Sequence, residues 1–210
     1  MSSLLQVSYR RVTIFNVVVP VFGLLVTLVI GLYLHYDILT DTHCKVPNFF
    51  TTISKLTGEE LPERYIWRMC MSLVAMPLIL DGVVLHRALS FEAGVLQRWW
   101  LRMLNTTVLL LHFMQMYLLL SVTYLSSKEH MDYHVDMWYT FFGTSLLHMF
   151  SLFLLLYLGK QRPFSNRDRK AMKFRLVCLA IHLTGVGAFI HFANRHWDCE
   201  PYGILLPILV

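Results

Sequence analysis

The sequence predicts an all-α protein, a polytopic bundle of five transmembrane helices followed by a truncated sixth. Three observations predict it: five long apolar runs, a mean hydropathy of +0.54 over 210 residues, and polar gaps that alternate between basic and acidic. So apolar a chain is typical of membrane proteins, and its length suits a single transmembrane domain over residues 1–210. The runs cover residues 12–36, 66–86, 104–125, 137–158 and 176–192.

Each run is close to the ~20 residues that an α-helix needs to cross ~30 Å of hydrocarbon. The first run is too long for the apolar region of a cleaved signal peptide, so we expect it to stay in the membrane as an anchor. Tyr65 and Trp67 lie at the start of the second run, and such aromatic residues are typical of the membrane surface. An acidic gap separates the third run from the fourth, and a basic gap precedes the fifth. A sixth apolar stretch, 203–210, is too short to cross and predicts a truncated helix.

The alternating charge of the gaps predicts the orientation of the bundle. The basic gaps contain Arg10, Arg11, Arg87, Arg98, Arg102 and the Lys- and Arg-rich segment 160–175. The acidic gaps contain Asp37, Asp41, Glu59, Glu60, Glu63, Glu129, Asp132, Asp136, Asp198 and Glu200. Because cytoplasmic loops are rich in Lys and Arg, the N-terminus is predicted to be cytosolic and the acidic gaps lumenal. The net charge of +5 then follows from the cytosolic loops, and we expect no nucleic-acid partner.

The four cysteines divide according to this topology. Cys44 and Cys199 both fall on the predicted lumenal side, where an oxidising compartment permits a disulfide bond between them. Cys70 and Cys178 fall inside predicted helices, where a thiol usually serves as a small apolar side chain. No short Cys and His ligand spacing accompanies the lumenal cysteines, so we expect no metal site.

The longest predicted lumenal segment, 37–65, is expected to be a structured loop because Pro47 and Pro62 prevent one continuous helix. Arg68 follows it and enters an apolar run, where a guanidinium group is costly unless it finds water or an anion. Two interpretations stay open. Arg68 extends to the lumenal headgroups, or Arg64 and Arg68 together bind a phosphate, since guanidinium groups bind phosphate oxygens in pairs.

Several short motifs then carry a family resemblance over most of the chain. They are His43-Cys44-x-Val46-Pro47-Asn48, Pro62-x-Arg64-Tyr65-x-Trp67-Arg68, Tyr124-Leu125-Ser126-Ser127-x-Glu129, His134, Ser145-x-x-His148-Met149, Arg195-His196 and Cys199-Glu200. In this order the chain resembles the post-GPI-attachment-to-proteins factor 2 family, which also includes the fibroblast-growth-factor-receptor-activating protein and related multi-pass membrane proteins. Members of that family have a complete sixth helix, so this chain resembles a form shortened at the C-terminus.

The resemblance implies a role in the maturation of glycosylphosphatidylinositol (GPI) anchors. In that family the expected step is reacylation of lyso-GPI at the sn-2 position with a saturated, stearoyl chain, in the Golgi and also the endoplasmic reticulum membrane. The implied partners are GPI-anchored proteins and lyso-GPI, with acyl-CoA as a candidate acyl donor and no bound cofactor. The alternative is a non-catalytic membrane module that binds GPI lipid, or presents it to a separate acyltransferase. The sequence contains no His-x-x-x-x-Asp acyltransferase signature, so the enzymatic interpretation rests on the resemblance.

Candidate site residues follow from the chemistry of acyl transfer, which needs a general base near the acceptor hydroxyl. His148 is the candidate base, because Ser145 lies one helical turn before it on the same face. The two residues form either a nucleophile–base pair or a polar contact that pins the fourth helix to a neighbour. The predicted headgroup contacts are Arg64, Arg68, His43 and His134.

Overall fold

A computed structural model describes residues 8–41, 44, 51–160, 163 and 165–197 of the chain. Within these residues the chain forms eight helices. They are α1 (Tyr9–Leu34), α2 (Tyr36–Thr40), α3 (Ile53–Gly58), α4 (Glu63–Ser90), α5 (Ala93–Gln97), α6 (Trp99–Tyr124), α7 (Met131–Leu158) and α8 (Asn166–Trp197).

Five of these helices, α1, α4, α6, α7 and α8, are long and apolar enough to cross a membrane, which confirms the predicted all-α, five-span architecture. They start three to ten residues before the corresponding predicted runs. The reason is that an apolar run reports only the part of a helix in hydrocarbon, whereas the backbone hydrogen bonds continue into the headgroup layer. The sixth apolar stretch, 203–210, lies outside the described residues.

Helix α8 shows the largest of these differences. Most of the basic segment predicted as a gap belongs to its first turns, which start at Asn166. Ser165 caps this start: its Oγ accepts a hydrogen bond from the Asp168 N–H at 3.2 Å, and the Asp168 carboxylate accepts one from the Ser165 N–H at 2.9 Å. This reciprocal pair satisfies backbone donors that a helix start otherwise leaves free. Lys160 forms an ion pair with the same carboxylate.

The long helices pack in a row: α1 contacts α4, α4 contacts α6, α6 contacts α7, and α7 contacts α8. A buried apolar cluster joins α4, α5, α6 and α7 at one end of the bundle, and consists of Leu89, Val95, Leu101, Val108 and Leu155. Elsewhere many large apolar side chains on the long helices are exposed. This pattern is expected of helices whose outer surfaces face lipid.

The described part of the segment between α1 and α4 contains two short helices, α2 and α3. Helix α3 starts after Thr52, whose Oγ1 accepts a hydrogen bond from the Lys55 N–H at 3.0 Å. Leu39 of α2 and Leu56 of α3 are both buried. We call the end of the bundle formed by residues 35–41, 51–68 and 124–134 the acidic end, and the opposite end the basic end.

Candidate functional site

At the acidic end two arginines converge on one carboxylate. Arg64 Nη1 lies 3.3 Å from Glu129 Oε1, and Arg68 Nη2 lies 3.3 Å from Glu129 Oε2. Arg68 Nη2 also donates to the Tyr124 carbonyl at 2.7 Å, and Arg64 Nη2 donates to the Glu59 carbonyl at 3.2 Å. The structure therefore brings Arg64 and Arg68 together, as the phosphate interpretation requires, and holds Arg68 by protein acceptors.

The charges around the two arginines are set by local hydrogen bonds and by burial. A hydrogen bond from the Ser126 N–H is the main cause that holds the pKa of Glu129 below its ordinary value. The positive charges of Arg68 and Arg64 lower this pKa further. A hydrogen bond from Lys128 likewise lowers the pKa of Glu60. Burial raises the pKa of Glu59. Glu129 is thus kept as an anion between the two guanidinium groups, and Glu60 is neutralised by an ion pair with a lysine.

His134, a predicted headgroup contact, is buried and its two ring nitrogens contact protein groups. Nδ1 lies 2.6 Å from the Leu125 carbonyl, so this nitrogen carries the proton and donates it. Nε2 then accepts from Trp138 Nε1 at 2.9 Å and lies 3.0 Å from Ser54 Oγ. In this geometry His134 ties α3 and the 125–130 loop to α7, and neither nitrogen is free to bind a headgroup.

A second contact at the acidic end pairs a histidine with a buried carboxylate. His35, directly after α1, places Nδ1 2.9 Å from Oε1 of Glu63, the first residue of α4. The side chain of Glu63 is 2% exposed and that of His35 is 23% exposed. Because a carboxylate accepts hydrogen bonds, Nδ1 is the donor of His35, and in the neutral imidazole the lone pair then lies on Nε2.

Ser145 and His148, the predicted catalytic pair, lie inside α7. The Oγ of buried Ser145 accepts a hydrogen bond from Gln115 Nε2 on α6 at 3.2 Å. The His148 ring lies 5.4 Å, centroid to centroid, from the ring of His112, and its Nε2 is buried without a hydrogen-bond partner in the described part of the chain. The Ser145–Gln115 bond joins α7 to α6, which is the contact that the pinning interpretation predicts.

The remaining predicted residues are placed only in part. Cys44 is disulfide-bonded, whereas Cys70 and Cys178 are free. Cys199, its predicted partner, and His43, a predicted headgroup contact, lie outside the described residues. Among the residues that are described, no three His, Cys, Asp or Glu side chains are grouped closely enough to hold a metal ion.

Comparison with known families accounts for nearly the whole chain. Residues 8–205 match the model of the Frag1/DRAM/Sfk1/Cwh43P N-terminal domain. The chain belongs to this Frag1 family. No solved structure matches the chain.

Curated relatives of this Frag1-family chain are named for GPI-anchor maturation, which confirms the resemblance drawn from the motifs. The chain is 31% identical to "Acyltransferase PGAP2" of Danio rerio, over 92% of this chain and 82% of the relative. It is 32% identical to the protein of that name in Xenopus tropicalis, over 71% of this chain and 58% of the relative. It is 26% identical to "Post-GPI attachment to proteins factor 2" of Caenorhabditis elegans, over 87% and 70%.

Sequence reasoning missed two features of the acidic end of this Frag1-family protein. It gave His35 no role in the site, and it did not connect Glu129 with the arginines. Both were within reach of the predicted topology. His35 ends the first span and Glu63 starts the second, and the ends of consecutive spans on one side of a membrane lie close together.

Proposed function

We propose that this protein reacylates lyso-GPI at the sn-2 position with a saturated, stearoyl chain, in the Golgi membrane and also that of the endoplasmic reticulum. Its N-terminus is then cytosolic, and GPI-anchored proteins carry its substrate. The names of the relatives support GPI-anchor maturation as the process. The single structural observation that carries the proposal is the convergence of Arg64 and Arg68 on the two oxygens of Glu129.

This convergence suits a phosphate diester. The Glu129 carboxylate presents one oxygen to each guanidinium group, as the two non-bridging oxygens of a phosphodiester would do. Guanidinium groups bind both kinds of anion through paired N–H donors. The Nε–H groups of Arg64 and Arg68 are buried without partners within the described residues, so their hydrogen-bonding capacity is unmet in this arrangement of the two side chains. The inositol phosphate of lyso-GPI would bind here, beside Glu129 or in its place.

Reacylation has a plain physical consequence for the anchored protein. A second acyl chain strengthens membrane binding by about 0.8 kcal/mol per buried methylene, and a single chain holds only marginally. Loss of the step should therefore release GPI-anchored proteins from cells. The acyl donor is an activated fatty acyl group, with acyl-CoA as the candidate of that class.

The test is to express variants in cells that lack their own copy and to measure the sn-2 chain of GPI anchors by mass spectrometry. We expect the wild-type chain to restore saturated sn-2 chains. The double variant Arg64→Gln/Arg68→Gln should restore them at least about tenfold less well, because each lost charge-assisted contact is worth about 1.5–3 kcal/mol.

Arg98→Gln is the matched control, because Arg98 lies at the basic end, where its guanidinium group stacks over Trp100. It should behave as the wild type. A double variant that restores the saturated chains as well as Arg98→Gln does, at equal protein abundance, would contradict the phosphate site.

One observation favours the second function, a non-catalytic module that binds or presents GPI lipid. Ser145, the predicted nucleophile, is hydrogen-bonded to Gln115, and within the described residues no hydrogen bond joins it to His148. Purified protein in lipid vesicles, supplied with lyso-GPI and stearoyl-CoA, separates the two functions. Acyl transfer by the pure protein excludes the module, and transfer only after adding a membrane extract supports it.

A further inference from the structure

We propose that His35 is the general base that removes the proton of the sn-2 hydroxyl, and that Glu63 is the residue that positions it. This inference rests on the proposed function and assigns the chemical step to a site outside the predicted Ser145–His148 pair. Four features of the acidic end carry it: the His35–Glu63 contact, the burial of Glu63, the free nitrogen of His35, and the nearby arginines.

The contact has the geometry of a carboxylate that orients an imidazole. Glu63 Oε1 accepts the Nδ1 proton of His35 at 2.9 Å, which fixes the tautomer and leaves the Nε2 lone pair available. His35 Nε2 has no hydrogen-bond partner in the part of the chain that the structure describes, and 23% of the side chain is exposed. A general base needs such an accessible lone pair within reach of the hydroxyl.

The carboxylate of Glu63 is buried, which by itself lowers the stability of the fold and therefore needs another explanation. The side chain of Glu63 is 2% exposed, and its Oε2 has no hydrogen-bond partner among the described residues. Gly31 leaves room for it: a Cβ there would lie 3.3 Å from Glu63 Oε1 and 2.8 Å from Leu39 Cδ1. A carboxylate buried among apolar groups is costly unless it is paired, whereas a preorganised carboxylate suits the imidazolium that forms during proton transfer.

The His35–Glu63 pair lies next to the proposed phosphate site. Glu63 and Arg64 are consecutive residues of α4, and Glu60 lies close enough to both Arg64 and His35 for the charge of Arg64, and that of His35 when it is protonated, to lower the pKa of Glu60. In lyso-GPI the oxygen of the sn-2 hydroxyl is separated from the phosphorus only by the sn-2 carbon, the sn-3 carbon and the sn-3 oxygen. A lipid whose phosphate binds Arg64 and Arg68 would therefore present this hydroxyl in the neighbourhood of His35.

Depth in the membrane also favours His35 over His148. His148 is 17 residues beyond the start of α7, which places it roughly 26 Å along the helix axis, far from the acidic end. His35 directly follows the last residue of α1. The glycerol backbone of a lipid lies at the membrane surface, so a base at a helix end reaches it without drawing the headgroup into hydrocarbon.

The proposed step is a direct acyl transfer from an acyl thioester or an acyl oxygen ester. His35 Nε2 takes the proton of the sn-2 hydroxyl, and the hydroxyl oxygen forms a bond to the acyl carbonyl carbon. The bond from that carbon to the sulfur or oxygen of the donor then breaks. The leaving thiolate or alkoxide takes the proton from Nε2, so the products are the sn-2 ester and a free thiol or alcohol.

The test compares His35→Asn and Glu63→Gln with His130→Asn in cells that lack their own copy. An asparagine amide lies near the position of Nδ1 and still donates to Glu63, but it offers no basic lone pair. His130 is exposed at the same end and contacts the Tyr133 ring, so it is the matched control. Three quantities are measured: saturated sn-2 chains, protein abundance, and cross-linking of a photoreactive lysophosphatidylinositol as the substrate probe.

We expect His35→Asn to lower reacylation by about 100-fold or more, the usual contribution of a general base. Glu63→Gln should lower it less. Abundance and cross-linking should stay at the wild-type level in both, and His130→Asn should be fully active. Loss of cross-linking and abundance in parallel with reacylation would make the pair a structural contact and overturn the proposal. Full activity of His35→Asn would overturn the base assignment alone, whereas an inactive wild-type chain would overturn the proposed function together with it.

Discussion

Replacing Gly94 with alanine should destabilise the protein, because helix α5 is in backbone contact with the end of α7 at this position. An added Cβ at Gly94 would lie 2.1 Å from the carbonyl oxygen of Gly159 and 2.8 Å from its carbonyl carbon. Ordinary contact begins at 3.4 Å, so the oxygen and the Cβ must separate by 1.3 Å (3.4 minus 2.1). Both partners are backbone, and no side-chain rotation can relieve the overlap.

The magnitude follows from two opposing effects. Overpacking of a tight contact costs about 1–3 kcal/mol, and we expect the upper half of this range because the main chain must move. Alanine is favoured over glycine in a helix by about 0.5–1 kcal/mol, which offsets part of the cost. The net loss is about 1–2.5 kcal/mol, or roughly 2–10 °C in melting temperature for a chain of this size.

Thermal unfolding in detergent micelles, followed by loss of the monodisperse peak in size-exclusion chromatography, measures this loss. Gly143→Ala in α7 is the matched control, because nothing within the described structure lies within 4 Å of its added Cβ. It should match or exceed the wild type in melting temperature. A Gly94→Ala protein that is as stable as Gly143→Ala would refute the backbone contact between α5 and α7.

Three further predictions test the remaining contacts. The lowered pKa of Glu129 means that its contribution to stability is present above its ordinary pKa of 4.5 and lost as pH falls through the lowered value. The melting temperatures of wild type and Glu129→Gln should therefore differ at neutral pH and converge in acid. Gln115→Leu and Ser145→Ala should each lower the free energy of unfolding by about 0.6–1.7 kcal/mol. In a double-mutant cycle the loss in the double variant should be smaller than the sum of the two single losses. Ser145→Ala should keep its reacylation activity. If Cys44 and Cys199 pair, Cys44→Ser and Cys199→Ser should give the same mobility shift on non-reducing gels. Each should lower the free energy of unfolding by about 2–4 kcal/mol. Unequal effects of the two substitutions would exclude the pairing.

The five spans were predictable because hydrocarbon imposes a length and a composition that any single sequence displays. The residues at which the helices begin and end were less predictable. Helix α8 starts at Asn166 within a basic segment, and the capping pair of Ser165 and Asp168 that starts it consists of polar residues equally common in loops. Hydropathy does not distinguish a hydrated helical turn from a hydrated loop.

The sequence alone also paired Arg64 with Arg68 as candidate phosphate ligands and pointed to the family. Only the tertiary structure showed that the two arginines share Glu129, which is 61 residues beyond Arg68. The same holds for His35 and Glu63, and for the contacts of His134 with Leu125 and Trp138.

The physical reason lies in the range of the interactions. The transfer of a segment into hydrocarbon depends on its own residues, so a local pattern determines which segments cross the membrane and, through the flanking charges, predicts how they are oriented. A hydrogen bond or an ion pair depends on distances of about 3 Å. Such distances between separate helices are decided only when the helices pack.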